Sequence, residues 1–361
     1  MKVFFDTIGC RLNQSEIEIM AMQFRKAGHT VTGDSQLADL VIVNTCTVTS
    51  AAASDSRQKI RHASRNSNAQ IIVTGCWATL EPDAALALPG VESVVLNQDK
   101  DNLVSDYLKI TPMVFDLEPL AREPIPGEHK RTRAFIKVQD GCDNFCTFCI
   151  TKVARGKGLS RPLNEVLDDI KQALDGGVKE IVLSGVHLGS WGKDFHQQKH
   201  LHDLIETVLT RTDVPRLRLS SLEPWDLGES FFSLWEDSRM CPHLHLPLQS
   251  GSKTILKQMA RKTTPEKFMR IVEDTRAVVP DMAITTDIIV GFPGETDELF
   301  DESLQFVRDV NFAGGHVFPF SARTGTPAAK FDDQIQKAIK KRRSAAMRAV
   351  VAEMTHQYQA S

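Results

Sequence analysis

Short apolar runs alternate with helix-period patterns along nearly the whole chain. In the first hundred residues, Lys2–Ile8, Leu40–Asn44, Gln70–Thr74 and Ser93–Leu96 read as strands. Ser15–Lys26, Ser50–Ser64 and Asp99–Leu108 carry the 3.6-residue period of helices. Strands alternating with helices predict a parallel sheet covered on both faces. The pattern breaks at Leu117–Glu128, where Pro119, Pro124, Pro126 and Gly127 sit among charges, and this stretch reads as a linker.

The alternation then resumes. Ala134–Val138, Glu180–Ser184, Arg216–Ser220, His243–Leu248, Ala283–Val290 and His316–Phe320 read as strands. Leu163–Asp175, Leu201–Thr210, Leu227–Asp237, Pro265–Val278 and Glu298–Val310 read as the helices between them. Six such units fall short of a closed eight-unit barrel. The expected fold class is therefore α/β: an N-terminal doubly wound parallel sheet, flavodoxin- or Rossmann-like, followed by a partial (βα)6 barrel. The expected division is a domain over 1–115, a linker over 116–130, a barrel over 131–335 and a basic C-terminal helix over 336–361.

Composition narrows the class. With 42% hydrophobic and 25% charged residues, the chain has the make-up of an ordinary soluble globular protein. Met1–Asp6 shows no secretory leader, and no apolar run is long enough to span a bilayer, so the expectation is cytoplasmic with no membrane partner. Seven cysteines make an odd count and do not suggest a disulfide framework. A net charge of −3 means that any nucleic-acid partner must be held by local basic patches.

Six of the cysteines form two groups. Cys142, Cys146 and Cys149 lie within one loop after the first barrel strand. Three thiolates can hold three irons of a four-iron cluster and leave the fourth open for a small molecule. Zinc is the competing metal, but no fourth ligand follows at finger-like spacing. Cys10, Cys46 and Cys76 each follow directly on a predicted strand, as Ile8-Gly9-Cys10, Asn44-Thr45-Cys46 and Thr74-Gly75-Cys76. In open α/β sheets ligands bind beyond the carboxyl ends of the strands, so these three are expected to converge on one rim as a second three-thiolate site. Ordinary packed thiols are the plainer alternative. Cys241 reads as one of those.

The spacing Cys-x3-Cys-x2-Cys, with Phe148 before the last cysteine, resembles the radical S-adenosylmethionine (SAM) superfamily. Gly9-Cys-Arg-Leu-Asn13, Asn44-Thr-Cys46 and Thr74-Gly-Cys76 are similar to the methylthiotransferase family within it. Leu219–Pro224, Cys241–Gly251 and Ile284–Glu295 most resemble the branch acting on N6-threonylcarbamoyladenosine in tRNA.

That resemblance implies two [4Fe-4S] clusters, one on Cys142, Cys146 and Cys149 and an auxiliary one on Cys10, Cys46 and Cys76. It implies S-adenosylmethionine as cofactor and methylthiolation of C2 of the modified adenosine next to the anticodon. Two molecules of S-adenosylmethionine are used, with sulfur supplied at the auxiliary cluster. Phe148 is implied near the adenine, Gly185 and Val186 at the methionine moiety, Ser221 and Glu223 at the ribose, and Gly291, Phe292 and Pro293 at the adenine edge. An external electron donor is implied; DNA is not.

Arg155, Lys157 and Arg161, with Lys152, crowd just after the cluster loop and are expected to contact tRNA phosphates. Further basic runs lie at Arg57–Arg65 and Lys337–Arg348, although such runs are often solvated helix faces. The resemblance implies a small RNA-binding β-barrel (TRAM) domain in most relatives, and none is expected within the residues up to Ser361. Lys152-Val153 stands where the family often has Pro-Tyr. Isopentenyladenosine or a ribosomal protein is the alternative substrate. A two-cluster electron carrier and a zinc-stapled RNA-binding module are the alternatives outside the family.

Overall fold

Lys2–Thr7 (β1), Thr30–Thr32 (β2), Leu40–Thr45 (β3), Gln70–Gly75 (β4) and Val91–Val95 (β5) hydrogen-bond in the order β2-β1-β3-β4-β5 in the computed structural model. It describes residues 1–111, Ile125 and 132–360; the expected linker, Ile125 apart, lies outside them. Every pair in this sheet is parallel. The order is that of doubly wound sheets whose ligand site lies where the winding reverses, here between β1 and β3.

Burial explains the layers. β3 is buried along its whole length, as a central parallel strand covered on both faces must be. Arg11–Lys26 (α1) and Leu103–Leu108 (α5) bury Ile17, Phe24 and Leu103 against one face of the sheet. Ser50–Asn66 (α2), Cys76–Leu80 (α3) and Pro82–Leu86 (α4) bury Ile60, Trp77 and Ala85 against the other. Each large side chain fully buried here contributes about 1.5–3 kcal/mol.

The described chain forms two compact units. The first comprises Met1–Cys142, Ile150–Val186 and Thr207–Arg216. Besides the five-stranded sheet it holds Arg133–Lys137 (β6) paired in parallel with Glu180–Ser184 (β9), the hairpin of Gln139–Asp140 (β7) with Leu159–Ser160 (β8), and the helices Thr151–Arg155 (α6) and Leu163–Asp175 (α7). β6 is tied to α1 by the Lys137 N–H, which donates to Ser15 Oγ at 3.1 Å.

The second unit comprises Asp143–Cys149, His187–Glu206 and Leu217–Ser361. The helix Leu201–Arg211 (α8) runs across the division of the chain. Leu217–Leu219 (β10), His243–His245 (β11), Ala283–Val290 (β12) and Gly314–Pro319 (β13) are its strands, and β11-β12-β13 form a parallel sheet. Burial alternates along β12 with the two-residue period of a strand that has one closed and one open face. Lys253–Gln258 (α9), Pro265–Val278 (α10) and Asp297–Val310 (α11) separate or follow these strands, and the last helix, Lys337–Ala360 (α12), packs on β13. The α/β fold class holds throughout.

Three elements differ from expectation. α1 starts at Arg11, earlier than Ser15, because Gly9 turns the chain at φ +110 and the helix begins directly after Cys10. Glu229–Glu236 is a 3-10 helix, where an α-helix was expected over Leu227–Asp237. At three residues per turn Phe231 and Leu234 stack on one buried side. The stretch Asp99–Leu108 begins as a 3-10 turn over Asn97–Asn102 before α5.

Candidate active site

In the first unit the ends of β1, β3 and β4 deliver Cys10, Cys46 and Cys76 to one rim. Cys10 is the N-cap of α1, Cys46 follows β3, and Cys76 opens α3. The approach is close enough to exclude side chains at the preceding glycines. A Cβ on Gly9 would stand 2.7 Å from Cys46 Sγ, and one on Gly75, at φ +97, would collide with the Thr45 backbone. Only glycine fits both positions. Burial pushes the Cys46 thiol up to about 11, and the neighbouring Cys10 and Cys76 add to the shift. Three thiols at neighbouring strand ends, near enough to shift one another's ionisation, are a soft-donor set suited to an iron–sulfur cluster with one iron left open.

Beneath the thiols lies a buried polar network. Glu16 on α1 accepts from Lys100 Nζ at 2.8 Å, from Arg155 Nη1 at 2.8 Å and from Asn44 Nδ2 at 2.9 Å. Asn13 donates to Ile8 O at 2.8 Å and Thr45 O at 3.0 Å, joining the ends of β1 and β3. Burial alone would raise the Glu16 carboxyl. The charges of Arg155, Lys100 and Lys137 outweigh it and hold Glu16 well below the usual range.

Cys142 also belongs to the first unit. Its N–H donates to Gly156 O at 3.1 Å, and Gly141 before it has φ +66 with no room for a Cβ beside Lys157 O. Gly185 and Val186 follow β9, half-buried.

The second unit holds Cys146 and Cys149. The Cys149 N–H donates to Cys146 O at 3.1 Å, and the Thr147 N–H donates to Met259 O at 3.1 Å, which fastens the loop to the end of α9. Arg261 lies just beyond. Its Nη1 and Nη2 reach the two carboxylate oxygens of Glu223 at 3.0 and 2.6 Å, and Nη1 is 3.9 Å from Cys146 Sγ. Its guanidinium stacks on Trp225 at 4.6 Å. Burial raises the Cys146 thiol and Arg261 opposes that shift.

Residues 2–97 match the model of a family described as "Uncharacterized protein family UPF0004", and residues 136–307 match that of the Radical SAM superfamily. Threonylcarbamoyladenosine tRNA methylthiotransferase MtaB from Bacillus subtilis is 39% identical over 99% of this chain and 81% of its own length. Its counterpart from Thermotoga maritima is 40% identical over 94% and 80%. The chain belongs to the radical SAM methylthiotransferases. A third methylthiotransferase of this kind, the tRNA-2-methylthio-N(6)-dimethylallyladenosine synthase of Clostridium botulinum, is 34% identical over 98% of the chain and 82% of its own length. Among solved structures, the radical S-adenosylmethionine methyltransferase TsrM from Kitasatospora setae aligns with TM-score 0.66 at 16% identity, over 91% of this chain and 76% of that one. That likeness is one of fold.

One residue of this methylthiotransferase stands differently from what the sequence suggested. Phe292 is fully buried, edge-on to Phe320 at 5.2 Å and to Phe331 at 6.1 Å, so its ring is core and leaves only backbone for a ligand. Phe148 packs against that same apolar cluster. Pro293 is buried beside it, and Gly291 at φ +70 donates its N–H to Glu295 Oε2 at 2.6 Å. Ser221 is half-buried and bridged to His245.

The expected phosphate contacts are corrected most. Arg155 has a side chain only 2% exposed, with its donors directed to Glu16, Asp140, Asn13 and Cys76. Arg161 donates to Lys137 O at 2.9 Å and to Asp169 at 2.7 Å. Both are held by the fold, because acidic partners lie within reach. Lys157 is exposed. On α12, Lys340 donates to Phe320 O and Arg343 pairs with Glu295, so part of that basic run serves the barrel.

Sequence reasoning passed over Asn13, Glu16, Asn44, Lys100 and Arg261. Asn13 and Asn44 lay inside the motifs already singled out, where a polar residue next to a strand-end cysteine was the available signal.

Proposed function

We propose that this chain is a radical SAM tRNA methylthiotransferase that converts N6-threonylcarbamoyladenosine next to the anticodon to its C2-methylthio form. The observation that carries the reading is the gathering of Cys10, Cys46 and Cys76 at the β1/β3 winding reversal, in a chain 39–40% identical to two MtaB enzymes. Residues Cys142, Cys146 and Cys149 would hold one [4Fe-4S] cluster and Cys10, Cys46 and Cys76 the other. When bound, these groups and S-adenosylmethionine supply hydrogen abstraction at C2, sulfur and the methyl group.

The protein's own part is placement. Arg261 fixes Glu223 through a two-point ion pair, a geometry suited to receiving a ribose diol. Glu295 shapes the Gly291–Pro293 turn, whose backbone is offered to the adenine edge. Gly185 and Val186 would meet the methionine moiety with backbone groups, and Phe148 forms an apolar wall. The thiols lose their protons on binding metal. Exposed Lys157 is the cation offered to tRNA phosphate.

The division into 1–115, 116–130, 131–335 and 336–361 is part of the same proposal. So are an external electron donor, a cytoplasmic location and the exclusion of membrane and DNA partners. No helix among the described residues is long and apolar enough to cross a membrane.

The deciding experiment is Cys46→Ala in anaerobically reconstituted protein. It should still form 5′-deoxyadenosine from S-adenosylmethionine with a reductant, but make little methylthio nucleoside on tRNA bearing threonylcarbamoyladenosine. Loss of both activities together would reduce the N-terminal cysteines to a folding role.

A further inference from the structure

Arg155 is the surprise of the first unit. It follows the second cysteine group in sequence, yet its side chain lies against Cys76, with Nε 3.3 Å from the sulfur. Nη1 donates to Glu16 Oε1 at 2.8 Å and to Asp140 Oδ1 at 2.9 Å, and Nη2 donates to Asn13 Oδ1 at 2.8 Å. Three separate groups thus fix one planar fork, which leaves the Nε–H a single direction, at the thiol. The helix that carries it is itself pinned, since Asn97 Nδ2 donates to Ala154 O at 2.8 Å and also lies 3.7 Å from Cys76 Sγ.

The charges point the same way. Arg155, Lys100 and Lys137 are buried, at 2%, 2% and 7% exposure, and so is Glu16, at 3%. Asp140 is the second inward carboxylate, while Asp101, which also meets Lys137, stands 81% exposed. The buried groups alone are therefore one positive charge in excess, which only the solvent-screened Asp101 at the rim offsets. A guanidinium cannot shed its proton to relieve that excess, and an unbalanced buried charge is costly. A four-iron cluster held by three thiolates is an anion, and it would balance the network.

We propose that Arg155 is a positioning residue for the auxiliary cluster: its Nε–H donates to the Cys76 thiolate, and its charge, shared through Glu16 with Lys100 and Lys137, stabilises the added electron of the reduced state. Hydrogen bonds to cluster sulfurs and nearby net charge are the protein's means of setting a cluster's potential. Lysine in place of Arg155 would keep the charge and lose the fork. The inference rests on the reading of Cys10, Cys46 and Cys76 as a cluster site.

The test uses the full chain carrying Cys142→Ala, Cys146→Ala and Cys149→Ala, so that only this site loads. It should take up about four irons, one thiolate per liganded iron. If this parent takes up no iron, the cluster reading itself fails. Given a loaded parent, Arg155→Lys and Arg155→Gln should lower the midpoint potential read by electron paramagnetic resonance, Gln more than Lys, with altered g-values. Unchanged potential and spectrum in both would leave Arg155 a structural ion-pair residue and overturn the proposal. A second measurement needs no substitution. With arginine carrying the heavy nitrogen isotope only in its guanidinium, the reduced cluster of the parent should show a hyperfine coupling to that nitrogen. Absence of the coupling overturns the proposal even if the variants fail to fold.

Discussion

The guanidinium of Arg343 on α12 lies 2.9 Å from the carboxylate of Glu295, and both side chains are buried. The same carboxylate accepts the Gly291 N–H at 2.6 Å, and Arg343 Nη1 also donates to Glu295 O at 2.7 Å. A single residue of the last helix thereby sets the turn proposed to receive the adenine edge.

Arg343→Met should cost about 3–5 kcal/mol, because it leaves a buried carboxylate without its partner. Burial raises the Glu295 carboxyl, and the Gly291 N–H and Arg343 oppose that shift. The double variant Arg343→Met with Glu295→Gln should recover much of the stability, since it removes the unpaired charge and glutamine still offers an oxygen to Gly291. Chemical denaturation of the two variants measures this. Equal losses in both would mean that the pair contributes through packing alone.

Arg261 yields a second expectation. Arg261→Lys keeps the charge but cannot make the two-point contact with Glu223, nor stack on Trp225 as a plane. S-adenosylmethionine binding should weaken by about tenfold or more, roughly 1.4 kcal/mol, with iron content unchanged. Equilibrium dialysis on the reconstituted variant reads it. An unchanged Kd would remove Glu223 from the ribose assignment.

A third concerns acid. His187 Nε2 lies 2.6 Å from Asp226 Oδ2, and Lys193 Nζ lies 3.0 Å from Oδ1. Burial would raise the Asp226 carboxyl, but the contacts with His187 and Lys193 prevail and its pKa lies below the ordinary 3.8. The folded state thus prefers the ionised form. The resulting stabilisation is complete above the unfolded value, about pH 4, and is lost as pH falls through the lower folded value. Asp226→Asn should cost about 1–3 kcal/mol at neutral pH and flatten the acid limb of stability. A variant with the same acid limb as the parent would show that other carboxylates govern it.

The architecture was legible because its signals are local. A strand end followed by Gly-Cys or Thr-Cys is visible in the letters, and the rule that ligands gather beyond parallel strand ends carried Cys10, Cys46 and Cys76 to one rim. What a cationic run does is not local. Arg155 meets Glu16 across 139 positions of sequence, and only the folded chain shows that the two touch. Phe292 misled for a related reason. The Gly-Phe-Pro-Gly turn signals a loop, but whether the aromatic faces a ligand or the core depends on Phe320 and Phe331, which lie further along the chain.

The tie between Ser15 and the backbone of β6 bears on how such a protein can be taken apart or built. Residues 133–137 lie beyond the proline-rich stretch, where a cut would be placed by inspection, yet they belong with α1. A fragment beginning after that stretch would carry Lys137, Asp140 and Arg155 stripped of Glu16, with an apolar strand face bared beside them. Such a fragment should be insoluble or misfolded when expressed alone.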